Sequence, residues 1–147
     1  GYVGVTNEMG SRFITSNQDI RPVLEIFHNR GLMFVDNRVT SRSVATRVAQ
    51  DVGLPWAAGD RSIDRNPSRQ YIDDKLAEIQ RIALDKGSAV AMALPYPVTF
   101  ERLALWLPKL EEEGFVVAPV SAVIHQQEPG EEEEESEEAE ASDEGEQ

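Results

Sequence analysis

The stretch GYVGVTNEMGSRF, residues 1–13, decides the fold that we predict for this chain. Val3 and Val5 alternate with small or polar neighbours, which indicates a short β-strand. At Thr6 the strand runs into a polar cluster that extends to Arg12. The same order, a strand followed by a polar cluster and a helix, recurs three more times downstream. Strand–helix units are therefore the repeating element of the predicted fold.

Polar residues that follow these strands are the first candidates for a functional site. In a barrel of strand–helix units, the residues just after the strands converge on one face, and that face carries the chemistry. Asn7 and Glu8 follow the first strand and are therefore the leading candidates. The cluster also suits a turn, because asparagine, glycine and serine favour turn conformations, so a structural role stays open.

Length and composition limit the class of protein. The 147 residues correspond to about one domain, and they contain no apolar run long enough to cross a membrane. No signal peptide is recognised, and because the first residue already belongs to a strand we expect a piece of a longer protein. Cysteine is absent, which excludes disulfides and thiolate metal sites. His28 and His125 are too few for a zinc site of several imidazoles.

The net charge of −13 is concentrated at the C-terminus. Residues 128–147 hold 12 of the 27 acidic residues and no basic residue, which leaves 15 acidic and 14 basic residues in 1–127. This tail has no large apolar side chain, so we predict that it is disordered and that the folded domain is 1–127. Because no basic surface remains outside the tail, nothing indicates a protein that binds nucleic acid.

Apolar spacing downstream of the first strand predicts four helices that alternate with strands. The predicted starts of the first three helices are Ser16, Ser41 and Asn66–Pro67. The fourth is predicted from apolar residues on one face between Phe100 and Leu110, and the four helices end near Gly31, Gly53, Gly87 and Gly114. The further strands are predicted at 32–35, 54–58, 88–93 and 115–120, with one helical turn at 121–125. We expect Pro108 to disturb the last helix.

Five strands and four helices in strict alternation indicate an α/β domain with parallel pairing. An arc of five such strands would leave two unpaired edges and an exposed inner face, which folded proteins normally avoid. Either a further N-terminal part of the protein completes a barrel, or the sheet is flat and doubly wound. We favour the barrel, which a resemblance to a known family also supports.

Four segments of the sequence resemble the divergent polysaccharide deacetylase family. They are GYVGVTNEMGSRF, RPVLEIFHNRGLMFVDNRVTSRSVA, GSAVAMALPYPVTFERLALWLP and VVAPVSAVI, which run from Gly1 to about Ile124. The resemblance implies a seven-stranded, distorted (β/α) barrel of the NodB-like deacetylase type, of which this chain is the C-terminal part. It also implies a bacterial protein of carbohydrate metabolism with a polysaccharide or glycan as partner. The implied location is extracytoplasmic, either periplasmic or membrane-anchored through the N-terminal part.

The family also implies a metal site, which this sequence alters. Related deacetylases hold a divalent metal with one aspartate and two histidines and use it to activate water against an N- or O-acetyl group. Glu8 stands where the family usually has the first histidine, and Leu94 where it usually has the second. The family's paired aspartates lie upstream of this chain. Family positions that are kept are Asn7, Gly10, Ser11, Asp36, Arg38, Asp64, Pro95 and Tyr96.

The family implies a zinc cofactor, and the loss of two imidazoles should weaken the binding of zinc. Glu8 can still ligate a hard cation or act as a base, whereas Leu94 can do neither. A hydrolase that activates water through a metal needs several fixed ligands and an open coordination position. We therefore predict that zinc is not held tightly here.

Seven residues remain as site candidates. Those for a catalytic role are Glu8, Asp36, Arg38 and Asp64, and those for substrate binding are Asn7, Ser11 and Tyr96. Structural alternatives stay open. Asp36 and Arg38 can pair with each other or cap the next helix, and Asp64 can be a turn residue. Tyr96 can stack on a sugar ring or form a rigid corner between two prolines.

Three functional hypotheses follow from the residues and the resemblance. The first is a carbohydrate esterase or amidase of the deacetylase family with an altered metal site. The second is a non-catalytic relative whose cleft binds glycans or a partner in the cell envelope. The third is an interaction module in which the acidic tail matters most.

Overall fold

The strand predicted at the start of the chain forms as β1, Gly4–Thr6, in a computed structural model that describes residues 1–124. β1 pairs in parallel with β2, Met33–Asp36, and β2 pairs in parallel with β3, Trp56–Ala58. The carboxyl ends of the three strands therefore lie at one edge of the sheet, and the residues that follow them are brought together there.

A second parallel sheet joins β4, Arg61–Ser62, to β5, Ala91–Met92. The Ile63 N–H donates to the Met92 carbonyl at 2.9 Å, which extends the pairing beyond β4. β4 is not predicted from the sequence pattern, because two polar residues show no apolar alternation. β5 lies within the strand predicted at 88–93 but is shorter.

The first helix agrees with its prediction. α1 spans Asn17–Asn29 and follows a short 3₁₀ turn at Phe13–Thr15. The Ser16 hydroxyl accepts the Asp19 N–H at 3.4 Å, so the predicted cap is confirmed. Apolar residues at helical spacing on α1 are buried against the first sheet.

The second helix, α2, spans Ala45–Asp51. The Ser43 hydroxyl accepts the Ala45 N–H at 3.2 Å, so the prediction that Ser41 caps this helix is wrong. Both serines precede the helix, and Ser43 also donates its hydroxyl to Asp36.

The third helix, α3, spans Arg69–Lys86 and also begins later than predicted. The Ser68 hydroxyl accepts the N–H three residues on, at 3.4 Å, so Ser68 rather than Asn66 is the cap. α3 ends as predicted at Gly87, whose φ of +84° lies in the left-handed region that glycine adopts without strain.

The fourth helix, α4, spans Pro97–Glu112. It runs without a break through Pro108, so the predicted disturbance of its middle is not seen. Proline does remove one backbone donor from the helix, which leaves the carbonyl one turn earlier without its usual partner. The chain turns at Gly114, where φ is +85°, as expected for the end of a helix.

The strand predicted at 115–120 does not form. Val116 and Val117 are exposed, and the only regular structure after α4 in the described residues is a 3₁₀ turn at Val120–Ala122. An apolar run becomes a strand only when another strand pairs with it, and none does here. The predicted helical turn at 121–125 is this 3₁₀ turn in part, with His125 outside the described residues. The predicted disordered tail, 128–147, also lies outside them.

Two groups of buried apolar residues hold the described part of the chain together. The first packs α1 and α2 on the three-stranded sheet, and its members are Ile14, Ile20, Leu24, Phe34, Ala45, Val48, Ala49 and Leu54. The second packs under α3 and α4 beside β4, and its members are Ile63, Ile72, Leu76 and Ile79. The first group therefore supports the three-stranded sheet, and the second supports β4.

Gly4 in β1 leaves no room for a side chain. A Cβ added there would lie 2.9 Å from the Met33 carbonyl oxygen and would overlap Met33 Cγ. Because Met33 belongs to the paired strand β2, we expect Gly4→Ala to destabilise the protein by about 1–3 kcal/mol in a thermal melt. Gly1→Ala is the matched control, since a Cβ at Gly1 would meet nothing within 4 Å. Equal melting temperatures for the two variants would contradict the close packing of β1 on β2.

Candidate functional site

The residues after β1 and β2 are tied together at the carboxyl edge of the sheet. The Asn7 Oδ1 accepts the Asn37 N–H at 2.9 Å, and the Thr6 hydroxyl donates to the Val35 carbonyl at 2.9 Å. The Asn7 Nδ2 is buried and has no hydrogen-bond partner in the part of the chain that the structure describes. Asn7 therefore lies at the predicted edge, and its amide nitrogen is free to donate to another group.

Asp36, the last residue of β2, is almost fully buried, with 1% of its surface exposed. Its Oδ1 accepts the Arg38 N–H at 2.8 Å, and its Oδ2 accepts the Ser43 hydroxyl at 2.7 Å. Because Ser43 in turn accepts the first N–H of α2, the carboxylate organises the start of that helix. Asp36 therefore has the structural role that the sequence left open, support of the next helix. Its bond to Arg38 is to the backbone N–H rather than to the guanidinium.

Arg38 adopts a backbone conformation that is uncommon for its residue type. Its φ of +50° lies in the left-handed region, and no other non-glycine residue in 1–124 has a positive φ. Such a conformation costs free energy for a residue with a Cβ, and the hydrogen bond from its N–H to Asp36 offsets that cost. The turn therefore fixes where the exposed Arg38 side chain begins.

Asp64 lies just after β4 and is buried to the same degree as Asp36. Its Oδ2 accepts the Leu94 N–H and the Thr99 hydroxyl, both at 2.8 Å, which joins the end of β4 to the loop after β5 and to α4. Its Oδ1 is buried without a hydrogen-bond partner among the described residues. Asp64 is therefore a buried anchor with distant partners, and the alternative of a turn residue is wrong.

The remaining candidates are exposed. Glu8 and Ser11 lie in the exposed segment after β1. Tyr96 is 39% exposed and immediately precedes α4, where its carbonyl accepts the Thr99 N–H at 3.0 Å. Tyr96 is thus held by its backbone while part of its ring stays open to solvent, and a substrate-binding role for it stays a prediction.

A cavity of about 580 Å³ opens beside the carboxyl ends of β2 and β3. Asp36 and Arg38 line it, whereas Glu8, Asn7, Ser11, Asp64 and Tyr96 do not. Charged residues that the sequence analysis had not chosen also line it, and these are Asp60, Arg61, Arg65 and Lys75. Asp60, Arg61 and Arg65 belong to the polar segment GDRSIDR, residues 59–65. This segment follows the third strand, just as other polar clusters follow the first two strands, and that position could have identified the three residues.

Two of the cationic side chains in this cavity are held by one carboxylate. Glu78 on α3 contacts Lys75 and the Arg61 Nε, the latter at 3.2 Å. The hydrogen bond from Lys75 holds the pKa of Glu78 below its usual value, and the bond from Arg61 acts in the same direction. Glu78 is therefore ionised at neutral pH and fixes both cations beside the cavity.

The donor set of the described residues does not fit a deacetylase zinc site. Within 1–124, no three histidine, cysteine, aspartate or glutamate side chains lie close enough together to hold a metal ion. Leu94 offers no ligand atom in its side chain, and its N–H is engaged by Asp64. A catalytic zinc site needs three protein ligands, so residues 1–124 do not supply a complete one.

The fold and the strand-end residues define an α/β domain of the partial NodB-like type, with parallel strands and four helices within residues 1–124. The chain belongs to the divergent polysaccharide deacetylase family, whose model matches residues 1–124. The predicted resemblance and the predicted fold class are thereby confirmed. No helix within the described residues combines the length and the apolar character that crossing a bilayer requires.

Two relatives show how much of a longer protein the chain resembles. It is 30% identical to an uncharacterized protein of Haemophilus influenzae, over 76% of this chain and 40% of that protein. The crystal structure of an uncharacterized protein from Agrobacterium tumefaciens C58 matches with a TM-score of 0.81 and 27% identity. That match covers 83% of this chain and 50% of the solved chain. The chain therefore spans half or less of the length of these two relatives.

Proposed function

We propose that the protein binds carbohydrate at the carboxyl ends of its parallel strands and does not act as a zinc deacetylase. Membership of the divergent polysaccharide deacetylase family supports a carbohydrate ligand. The family also supports the proposal that the protein is bacterial and works outside the cytoplasm. The proposed ligand class is a polysaccharide or glycan, and the proposed binding site is the cavity beside the carboxyl ends of β2 and β3.

The observation that carries the proposal is the arrangement of Asp64 and Leu94. The backbone N–H of Leu94 is fixed at 2.8 Å from the Asp64 carboxylate, yet the side chain at this position cannot ligate a metal. An apolar side chain also makes the site drier, which raises the cost of placing a hydrated cation there. Glu8, at the other histidine position of the family, is exposed. The frame of the site is therefore kept while its metal ligands are changed.

The cavity beside β2 and β3 has the features of a site for a polar ligand. The hydroxyl-bearing residues Ser41, Thr46 and Ser62 line it, together with Tyr71. Lys75 Nζ lies 5.6 Å from the centre of the Tyr71 ring, which holds the ammonium group against it. Sugar rings offer hydroxyls for hydrogen bonds and apolar faces for aromatic contact, so the lining is complementary to them.

Zinc titration of four variants tests the loss of the metal site. We expect the unmodified protein to bind zinc no more tightly than micromolar in titration calorimetry. Glu8→His combined with Leu94→His should raise zinc affinity far more than either change alone, because metal ligands act as a set. Glu111→His places an imidazole on the exposed surface of α4 and serves as the matched control. Tight, stoichiometric binding by the unmodified protein would contradict the proposal.

A second candidate is a deacetylase with an altered metal site, and one observation favours it. The Asp64 Oδ1 is buried and unpartnered in the described residues, as is the Asn7 Nδ2. A buried carboxylate oxygen without a donor is costly, so this candidate assigns it a partner outside residues 1–124, such as a bound metal ion. Release of acetate from an acetylated oligosaccharide, dependent on added divalent metal, would favour this candidate over the first.

A further inference from the structure

We propose that the cavity beside β2 and β3 recognises an anionic group, a carboxylate or a phosphate ester, on the sugar chain. The inference rests on the proposed carbohydrate function and adds the chemical class of the ligand. It follows from which side chains in the cavity are already paired and which are not.

The two carboxylates in the lining are occupied by internal donors. Both oxygens of Asp36 accept hydrogen bonds from the residues that follow it. Asp60 accepts Lys86 Nζ at 3.1 Å on one oxygen and the Val90 N–H at 2.8 Å on the other. Each of the four carboxylate oxygens therefore already accepts one hydrogen bond from within the protein, and Asp60 is paired with a lysine as well.

The four cationic side chains in the lining are only partly paired. Arg61 and Lys75 share Glu78, whereas Arg38 and Arg65 form no ion pair with any residue in 1–124. The cavity therefore presents two guanidinium groups, each with donors in a planar arrangement that fits a carboxylate or a phosphate.

The charge of the cavity differs from that of the rest of the chain. Its lining holds four cations and two carboxylates, and it stays positive when Glu78 is counted with them. Residues 1–127 as a whole carry 14 basic and 15 acidic residues, so this excess is local. A concave site with a local positive charge raises the concentration of anionic ligands at its mouth.

The backbone at Arg38 supports a role in binding. Its left-handed conformation is held by the buried Asp36, so the position from which the guanidinium extends is fixed before any ligand arrives. Strained backbone held in this way is found preferentially at binding sites, where fixing a side chain in advance reduces the entropy lost on binding.

Titration calorimetry with matched charged and neutral oligosaccharides tests the inference. Trigalacturonate and a neutral galactose trimer of the same linkage form one pair, and phosphorylated and unmodified maltotriose form the other. We expect the anionic member of at least one pair to bind about tenfold or more tightly at low salt. This preference should shrink as the salt concentration rises, because exposed charges are screened. The pair that shows the preference identifies the anionic group as carboxylate or phosphate.

Variants locate the preference in the cavity. Arg38→Gln and Arg65→Gln should each weaken binding of the anionic ligand by about tenfold and leave the neutral one unchanged. Arg81→Gln on α3 removes the same charge outside the lining and should leave both unchanged. Equal binding of charged and neutral ligands would overturn this inference and leave the proposed function standing. Binding of none of the four ligands would overturn both.

Discussion

Asp64→Ala is expected to destabilise the protein by about 2–4 kcal/mol, a drop in melting temperature of roughly 5–15 °C. The change would leave the buried Thr99 hydroxyl and the half-buried Leu94 N–H without an acceptor. Each unsatisfied buried donor costs on the order of 1–3 kcal/mol. Removal of a buried carboxylate returns part of that free energy, which keeps the expected loss below the sum.

Two further variants isolate the cause of this loss. Asp64→Asn keeps one carbonyl oxygen as an acceptor, so we expect it to lose less stability than Asp64→Ala in the same chemical denaturation. Asp85→Ala removes a carboxylate from the exposed surface of α3 and should change stability by less than about 0.5 kcal/mol. If Asp64→Ala were as stable as Asp85→Ala, the buried anchor between β4 and α4 would not exist as described.

Asp36→Ala is expected to destabilise the protein to a similar degree and also to weaken ligand binding. The loss removes the acceptor for the Arg38 N–H and for the Ser43 hydroxyl, so the left-handed turn and the start of α2 lose their support together. We expect the free energy of unfolding, measured by chemical denaturation, to fall by about 2–4 kcal/mol. We also expect anionic oligosaccharides to bind less tightly, because Arg38 is no longer held in place.

Ser43→Ala separates these two effects of Asp36. It removes the hydroxyl that donates to Asp36 and accepts the first N–H of α2. The bond between Asp36 and the Arg38 N–H is kept. Stability should therefore fall by about 1 kcal/mol, while binding of the anionic ligand should weaken less than in Asp36→Ala because the Arg38 turn is kept. Loss of binding in Ser43→Ala equal to that in Asp36→Ala would show that the Arg38 turn is not what positions the ligand.

The elements that the sequence predicted well are those that local pattern determines. The apolar spacing and the Ser16 cap of α1 are properties of neighbouring residues, and so is the glycine that ends α3. The errors in predicting strands arise where local pattern does not decide the structure. Arg61–Ser62 is a strand because β5 pairs with it, and Val116 is not in a strand because nothing pairs with it. Strand formation depends on contacts between distant residues, which a sequence pattern does not contain.

The candidate site shows the same division. Sequence pattern placed Asn7, Asp36 and Arg38 at the ends of strands, where the structure has them. It could not show that Asp64 would be buried against Thr99, because the two are joined only by the packing of α4 on the end of β4. Lys75 reaches the cavity from the middle of α3, and no strand-end pattern marks it.

Binding of an N-acetylated oligosaccharide in the presence of EDTA tests the central claim most directly. Titration calorimetry should give the same affinity in EDTA as with added zinc, and an acetate assay on the zinc-containing sample should detect no release. That result would show carbohydrate binding that does not depend on a metal. Binding that appears only with zinc and is accompanied by acetate release would contradict the account, and so would the absence of binding in both conditions.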